Sequence, residues 1–553
     1  MFMRPRRGSR RRPAPPAAAA PPRHAVGIDL GTTNTVVAVL RAGDAAPSVL
    51  RADGGGLVGA SGGAAAFTIP SIAAVAAGGA WLVGGAARAQ APANPLATYY
   101  SAKRLIGRRH ADVAATPLVY RTRAGPDGGV RLECPHLASD LSPQQVSAEV
   151  LRHAVALAAR HLDADVDEAV VTIPAYFSEQ QRAATAEAAQ LAGLRRVSLL
   201  QEPVAAAVAF GFGKPYEAET VLVFDLGGGT YDVSVLDSFE GIMEVLATAG
   251  DGELGGDDYD RALAALLLRR LAASAGAAAA AAAAADPSAA GALLRAAEGA
   301  KIRLSSGGAA EVKLPGFVHL GGGGGGGVVG LDTVVTADDL LAATAALRRR
   351  LWPPLATAAS ECKLALAGDG DAFEAALAAR RGAGGGAAAG PGSGAAAAGG
   401  GQAGGGGGTG AAADKYAPKP RSPTAAVLVG GATRMPVVRD YVRHVTGLEP
   451  RAEVDPEQCV ALGAAIQAGI LLGLTSGVEI MDGSYVEELH ARASGFQKRY
   501  LSSVLQARGP VGLNWTDSAV GRFEALRQLQ SGRYIYSIAD MAVEDALVVA
   551  RAR

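Results

Sequence analysis

The sequence predicts an α/β fold, and two observations carry that prediction. From Leu141 to Phe210, helical stretches with an apolar face alternate with short apolar runs, the order expected of helices layered on a sheet. A strand–turn–strand unit also occurs twice, at Val26–Leu40 (VGIDLGTTNTVVAVL) and at Val221–Leu236 (VLVFDLGGGTYDVSVL). Asp29 in the first copy corresponds to Asp225 in the second, 196 residues later. By length, 553 residues could make three or four ordinary domains or two large lobes.

In the second copy the runs VLVF and VSVL flank the turn Gly227-Gly228-Gly229, with Asp225 and Asp232 on either side. Glycine tolerates positive φ and lets backbone N–H groups approach phosphate oxygens. A pair of carboxylates suits a hydrated divalent cation, which keeps most of its waters. The first copy has the hydroxyl-rich turn Gly31-Thr32-Thr33. Either copy alone reads equally well as an ordinary glycine-turned hairpin. Two copies with an acid at one offset are better explained as a duplicated phosphate clamp.

Composition narrows the remaining choices. Apolar residues make up 49%, enough for a core, although alanine and glycine inflate the figure and aromatics are only 5%. A net charge of zero gives no electrostatic support for a nucleic-acid partner. Cys134, Cys362 and Cys459 are scattered and form no CxxC, which fits a reducing compartment and argues against a disulfide framework or zinc site. No run of strongly apolar residues is long enough to predict a transmembrane helix. Residues 1–24 carry seven arginines and no acid, and read as an organelle transit peptide or as a disordered basic tail. Plastid is preferred over mitochondrion, with the cytoplasm as the alternative.

Taken in order, Ile72–Val75 reads as a strand, and Ser101–Arg108 (SAKRLIGR) as a basic segment that opens helically. Leu141–Leu162 is an amphipathic helix with Ser142 as N-cap and Pro143 at the first helical position. His153 and His161 on it read as surface or packing residues. Ala169–Ile173 is a buried strand, and a helix follows from Ser178, capped through Ser-Glu-Gln-Gln, to a stop at Gly193. Val197–Leu200 and the alanine helix Val204–Phe210 complete the pattern. Gly250–Asp260 (GDGELGGDDYD) is an acidic glycine turn lacking the D-x-D-x-D-G…E spacing of a calcium loop. Ala272–Ala285 extends a helix with little packing volume. On Leu293–Ser306 the residues Glu298, Lys301 and Ser305 share a helix face. Gly321–Gly327 and the tract 382–413 read as low-complexity linkers. Ala425–Pro436 (AAVLVGGATRMP) is strand, glycine turn and helix start, and Asp455-Pro456-Glu457 caps a helix over 458–471.

The two strand–turn units resemble the phosphate motifs of the actin, sugar-kinase and heat-shock chaperone ATPase superfamily. The wording GIDLGTTN with FDLGGGTYDVSVL is similar to the seventy-kilodalton heat-shock (DnaK-type) chaperone family. Over roughly Ala25 to Leu474, this resemblance implies a two-lobed actin-like ATPase fold of duplicated ribonuclease-H-like lobes. Lobe I would span 25–220 and lobe II 221–474, with ATP or ADP, Mg2+ and K+ in the cleft. Asp29, Asp225 and Asp232 would hold the metal through water, and one of the latter two would accept the attacking water's proton. Gly31, Thr32, Thr33, Asn34 and the turn Gly227, Gly228, Gly229, Thr230 would cradle the phosphates. Lys103, matching AKRLIGR, and Glu202, matching an NEPTAAA-type motif, would position the water; Pro174 matches a proline proposed to relay nucleotide state. Glu298, Lys301, Ser305, Gly430, Gly431, Arg434 and Glu457 would hold the adenosine. Ile302 and Asn34 stand where cytosolic relatives have arginine and tyrosine, which favours a bacterial or organellar type.

The resemblance further implies J-domain and nucleotide-exchange partners; the neutral charge and the lack of a long apolar run lead to the expectation of no nucleic acid and no membrane span. Beyond Gly473 neither a leucine-rich acidic linker nor a C-terminal peptide-binding β-sandwich is recognisable, so binding of unfolded clients is not implied with equal force. The tail 475–553 reads as partly helical (Ala519–Gln530), partly disordered or non-native. The expected function is therefore an ATP-dependent chaperone ATPase with slow turnover. An uncoupled nucleotide-binding interaction module and a sugar or acetate kinase are the alternatives.

Overall fold

The computed structural model describes residues 24–52, 67–116, 118–211, 219–239, 242–320, 327–382, 421–474 and 479–480. The basic segment 1–23, nearly all of the tract 382–413 and the tail apart from two residues lie outside them. The transit-peptide, linker and missing-β-sandwich expectations fall on those residues.

Two sheets share one plan. In the first, β1 (His24–Leu30) and β2 (Asn34–Arg41) form an antiparallel hairpin, extended by β3 (Ser48–Val49) and by Ile69–Pro70. Helix α1 (Pro143–Leu162) leads to β4 (Glu168–Ile173), parallel to β1, and α2 (Glu179–Leu191) leads to β5 (Arg196–Gln201), parallel to β4. Both helices start on the boxes the sequence announces: Ser142 with Gln145, and Ser178 with Gln181. Each such cap contributes about 1 kcal/mol. Helix α3 (Glu202–Ala209) follows β5 directly.

The second sheet repeats the hairpin with β6 (Glu219–Leu226) and β7 (Tyr231–Phe239), and adds β8 (Ile242–Asp251). Helices α4 (Gly256–Ala275), α5 (Ala277–Ala285) and α6 (Pro287–Ser305), with the hairpin β9 (Ala309–His319) and β10 (Val328–Thr336), then pack as a separate cluster. The chain returns as β11 (Ala425–Val429), parallel to β6, and helices α7 (Pro436–Thr446) and α8 (Cys459–Leu471) follow. β12 (Glu479–Ile480) runs parallel along the edge of β8. A hairpin with a parallel strand beside its first arm thus occurs in both sheets, consistent with the two-lobed actin-like ATPase fold.

Between the sheets sit α3 and α8, and here alanine is core. Ala205, Ala206, Ala207, Ala464 and Ala465 are fully buried. A Cβ on Gly463 would strike the Ala205 backbone, and one on Gly27 of β1 would strike Ala464 and Ala465. Small residues allow close approach and dense packing there, so the alanine-rich composition supplies more core than its volume suggests.

Three local expectations need correction. The alanine run is not one helix: α4 ends at Gly276, whose φ of 92° breaks it, and Ala279 and Ala283 of α5 are fully buried among leucines. The segment around Lys103 makes only one 3-10 turn, Ala102–Arg104. Helix α8 begins at Cys459 with Gln458 at the N-cap, one residue later than read; Asp455 still serves the helix entry, its carboxylate accepting from Glu457 N at 2.9 Å and its carbonyl from Cys459 N at 3.0 Å. Among the described residues no single helix is long and apolar enough to cross a membrane.

Candidate active site

The two hairpin turns face each other across a cleft of about 610 Å³. From the first sheet come Asp29 at the end of β1, the turn Gly31-Thr32-Thr33 and Asn34; from the second come Asp225, Gly227, Gly228 and Thr230. Lys103, Glu202, Gly430, Gly431 and Glu457 also line it. The approach is tight. A Cβ on Gly228 would fall on the Thr33 side chain, and one on Gly229 would meet Thr32 and Arg104. Positive φ and close approach were both expected of these glycines; none of Gly227, Gly228 or Gly229 has positive φ, and close approach of the opposite turn is what bars a side chain at Gly228 and Gly229. The Gly227 and Gly228 carbonyls accept from Gly256 N and Asp257 N at 2.9 and 2.8 Å, which pins the turn to the start of α4.

Asp225 and Asp232 stand directly opposite each other in the β6–β7 ladder. Like charges at such a pair destabilise a sheet unless a cation lies between or near them. Asp232 is 8% exposed, and its Oδ1 has no hydrogen-bond partner. Gly250, opposite Asp232 on β8, leaves room for that carboxylate, since a Cβ there would collide with it. Asp29 accepts from Thr172 Oγ1 at 3.1 Å.

Lys103 sits after Ser101, a buried residue held in the left-handed region at φ 55°. Such backbone outliers at non-glycine residues persist where surrounding structure enforces them. The Lys103 ammonium ion-pairs with Glu202, the first residue of α3, and both side chains are about nine-tenths buried.

The electrostatics follow from crowding acids in a poorly hydrated space. Burial, then the neighbouring Glu202, pushes the Asp29 carboxyl up to about 7, against Lys103 and the Thr172 hydroxyl. Burial with Glu202 and Asp29 raises Asp225 well above the carboxylate range, and burial with Asp225 does the same for Asp232. Burial opposes the charge on Lys103, yet Glu202, Asp29 and Asp225 together hold its ammonium above the ordinary value.

The other end of the cleft differs. Gly430 (φ 83°) turns the chain after β11, and its N–H donates to the Pro456 carbonyl at 2.8 Å. Arg434 does not line the cleft: it bonds both Asp455 carboxylate oxygens at 2.6 Å and Glu457 at 3.2 Å. Glu298, Lys301 and Ser305 also stay outside it. Lys301 donates to Asp260 at 2.8 Å and to the Gly256 carbonyl at 3.0 Å, while the Ser305 hydroxyl donates to the Lys301 carbonyl. The helix-face pairing of Glu298 with Lys301 is replaced by this cross-helix ion pair.

The donor set fits a nucleotide with a divalent cation. The opposed acids have near them only Lys103, which is already paired with Glu202, the buried Thr33 Oγ1 and Asp232 Oδ1 lack partners, and glycine backbone forms the walls. A family model described as Hsp70 protein matches residues 25–324 and 421–486. This chain belongs to the Hsp70 family. The Hsp70 chain is 36% identical over 460 residues to "Chaperone protein dnaK3" of Thermosynechococcus vestitus, covering 83% of this chain and 56% of that one. It is 34% identical to "Heat shock 70 kDa protein 7, chloroplastic" of Arabidopsis thaliana (83% and 54%) and 35% identical to "Chaperone protein dnaK" of Cyanophora paradoxa (83% and 62%). The chain therefore spans little more than half the length of the curated relatives it matches. Family members are chaperone ATPases that use nucleotide and Mg2+.

The family match runs to residue 486, past the Leu474 limit read from sequence, and includes β12. Other residues escaped sequence reasoning. Arg104, whose Nη2 donates to the Gly229 carbonyl, ties the two sheets together. Thr172 was visible as the one hydroxyl in an apolar strand; Gly250 becomes legible only once its neighbours are placed.

Proposed function

We propose that this chain binds ATP with Mg2+ in the cleft and slowly hydrolyses it as the nucleotide switch of a chaperone. The observation that carries the reading is the convergence of Asp29, Asp225 and Asp232 with the Lys103–Glu202 pair where the two turns meet. Backbone and hydroxyls of Gly31–Asn34 and Gly227–Thr230 would cradle the phosphates, and the three aspartates would hold the hydrated metal. Mg2+, when bound, supplies neutralisation of phosphate charge. Lys103 and Glu202 would fix the attacking water in line, and Asp225 or Asp232 would accept its proton. Because phosphoryl transfer depends mainly on positioning and charge stabilisation, this small set suffices. Gly430, Gly431 and Glu457 would bound the adenosine, with Glu298, Lys301, Ser305 and Arg434 supporting that side.

The ATPase is taken as lobe I over 25–220 and lobe II over 221–474. J-domain and nucleotide-exchange partners are the family's general expectation, K+ in the site rests on resemblance alone, and client binding belongs to the proposal. Plastid localisation is supported by the chloroplastic and cyanobacterial relatives. Single-turnover hydrolysis by the full chain, beside Lys103→Ala and with an added J-domain protein, tests the reading. Slow cleavage, stimulated by the J-domain and lost in the variant, is expected. ATP binding without cleavage would reduce the chain to a nucleotide-gated interaction module.

A further inference from the structure

A second cavity, of about 900 Å³, adjoins the phosphate cleft and shares Lys103 and Thr230 with it. That cavity in turn shares Arg104, Arg108 and Glu253 with a third, of about 540 Å³, which adds Arg261, Arg350 and Asp258. The three cavities therefore adjoin in series from the reacting end of the clamp, with five cationic side chains and two acids lining the second and third.

The five cations are not equally available. Lys103 is paired with Glu202, Arg350 is bidentate to Asp251 at 2.8 and 2.9 Å, and Arg261 bonds Asp258 at 2.5 Å. Arg104 is only loosely held: its side chain is 8% exposed, Nη2 is bonded to the Gly229 carbonyl and lies 3.9 Å from the Asp258 carboxylate, and the buried Nε, packed against Gly229, has no hydrogen-bond partner. A buried guanidinium donor left unpaired is costly unless a ligand comes to it. Exposed Arg108 donates to the Asp112 carbonyl at 3.1 Å and has no carboxylate within ion-pair distance among the described residues. One guanidinium with a bare Nε and only a distant acid, and one without an acid, therefore line the same two adjoining cavities, beside the group proposed to meet the γ-phosphate.

We propose that these adjoining cavities hold a second anion station, centred on Arg104 and Arg108, for a small tetrahedral oxyanion: inorganic phosphate leaving the clamp after cleavage. The inference rests on the ATPase reading for its source of phosphate. A multiply charged anion moving away from Lys103 would otherwise lose its counter-charges at once. Cations spaced along the exit keep it stabilised and lower the barrier to leaving, as focused potentials do in charged clefts.

The test is a titration of the full chain with inorganic phosphate, followed by 31P NMR, in ADP, Mg2+ and beryllium fluoride so that the γ position is filled. Wild type should still bind one phosphate; Arg108→Glu should weaken it at least about fivefold, while Arg108→Lys keeps most of the affinity. No phosphate binding by wild type, or equal binding by wild type and Arg108→Glu, overturns the station. In single turnovers, Arg108→Glu should leave acid-quenched cleavage within about twofold yet delay phosphate appearance about fivefold. Appearance that tracks cleavage in both proteins would make the station one for bulk phosphate and overturn the exit role. Failure to bind ADP sinks the nucleotide reading instead, and the comparison of the two proteins without nucleotide then still decides the station.

Discussion

The end of the cleft proposed to take the phosphates and the flank proposed to support the adenosine are built in opposite ways. At the phosphate end charge is unmatched: Asp225 faces Asp232 across a ladder, Asp29 adds a third acid, and Lys103 is the cation set among them. On the flank proposed for adenosine the cations are already paired, Lys301 with Asp260 and Arg434 with Asp455 and Glu457. The first end depends on a ligand to balance it; the second stands by itself. Ligand-dependent stability, metal dependence and pH dependence should therefore concentrate at the phosphate end.

The largest test of that contrast is Lys103→Ala, which should lower single-turnover hydrolysis about a hundredfold or more while ATP still binds, since a preorganised charge at the reacting group is removed. Arg434→Ala should change the cleavage rate less than about threefold; an equal loss in both would erase the distinction. Next, Asp232→Asn removes one of two opposed carboxylates. It should raise the thermal stability of the nucleotide-free chain, by up to about 1 kcal/mol, while weakening Mg2+-dependent nucleotide binding. A lower melting temperature without nucleotide would show that the opposed acids are not in conflict.

The pH dependence sharpens the same point. Asp29 is raised to about 7 in the folded chain from 3.8, so the nucleotide-free fold binds its proton more tightly than the unfolded chain. That contribution favours the fold fully below the unfolded value and is lost as pH rises towards about 7. Metal binding requires the ionised carboxylate, so Mg2+–nucleotide binding near pH 6.5 should release protons and weaken as pH falls. Calorimetric binding heats that do not vary with buffer ionisation enthalpy would contradict this. The smallest expected effect is on stability at Arg434, a partly exposed ion pair whose loss should cost only about 0.2–1 kcal/mol, read by denaturant titration.

Much of this was legible in the sequence because it is local. Capping boxes at Ser142 and Ser178, the two strand–turn units and their acids are set by neighbouring residues, and they appear where the pattern puts them. Contacts between distant segments were not legible. Nothing near Lys301 announces Asp260 as its partner, and nothing near Gly228 announces Thr33 as the atom group that forbids a side chain there. The alanine run 272–285 misled for the same reason: Ala279 and Ala283 are core only because leucines of distant segments pack around them. The family match extending over β12 was hidden because a two-residue edge strand carries no periodicity.

The most direct test of the central claim is the Mg2+ dependence of ATP affinity, measured by calorimetry on the full chain and on Asp225→Asn/Asp232→Asn. An unbalanced acid cluster predicts that Mg2+ tightens ATP strongly in the wild type and barely in the double variant. If Mg2+ strengthens binding equally in both, the cation is held elsewhere and the phosphate-end account is wrong.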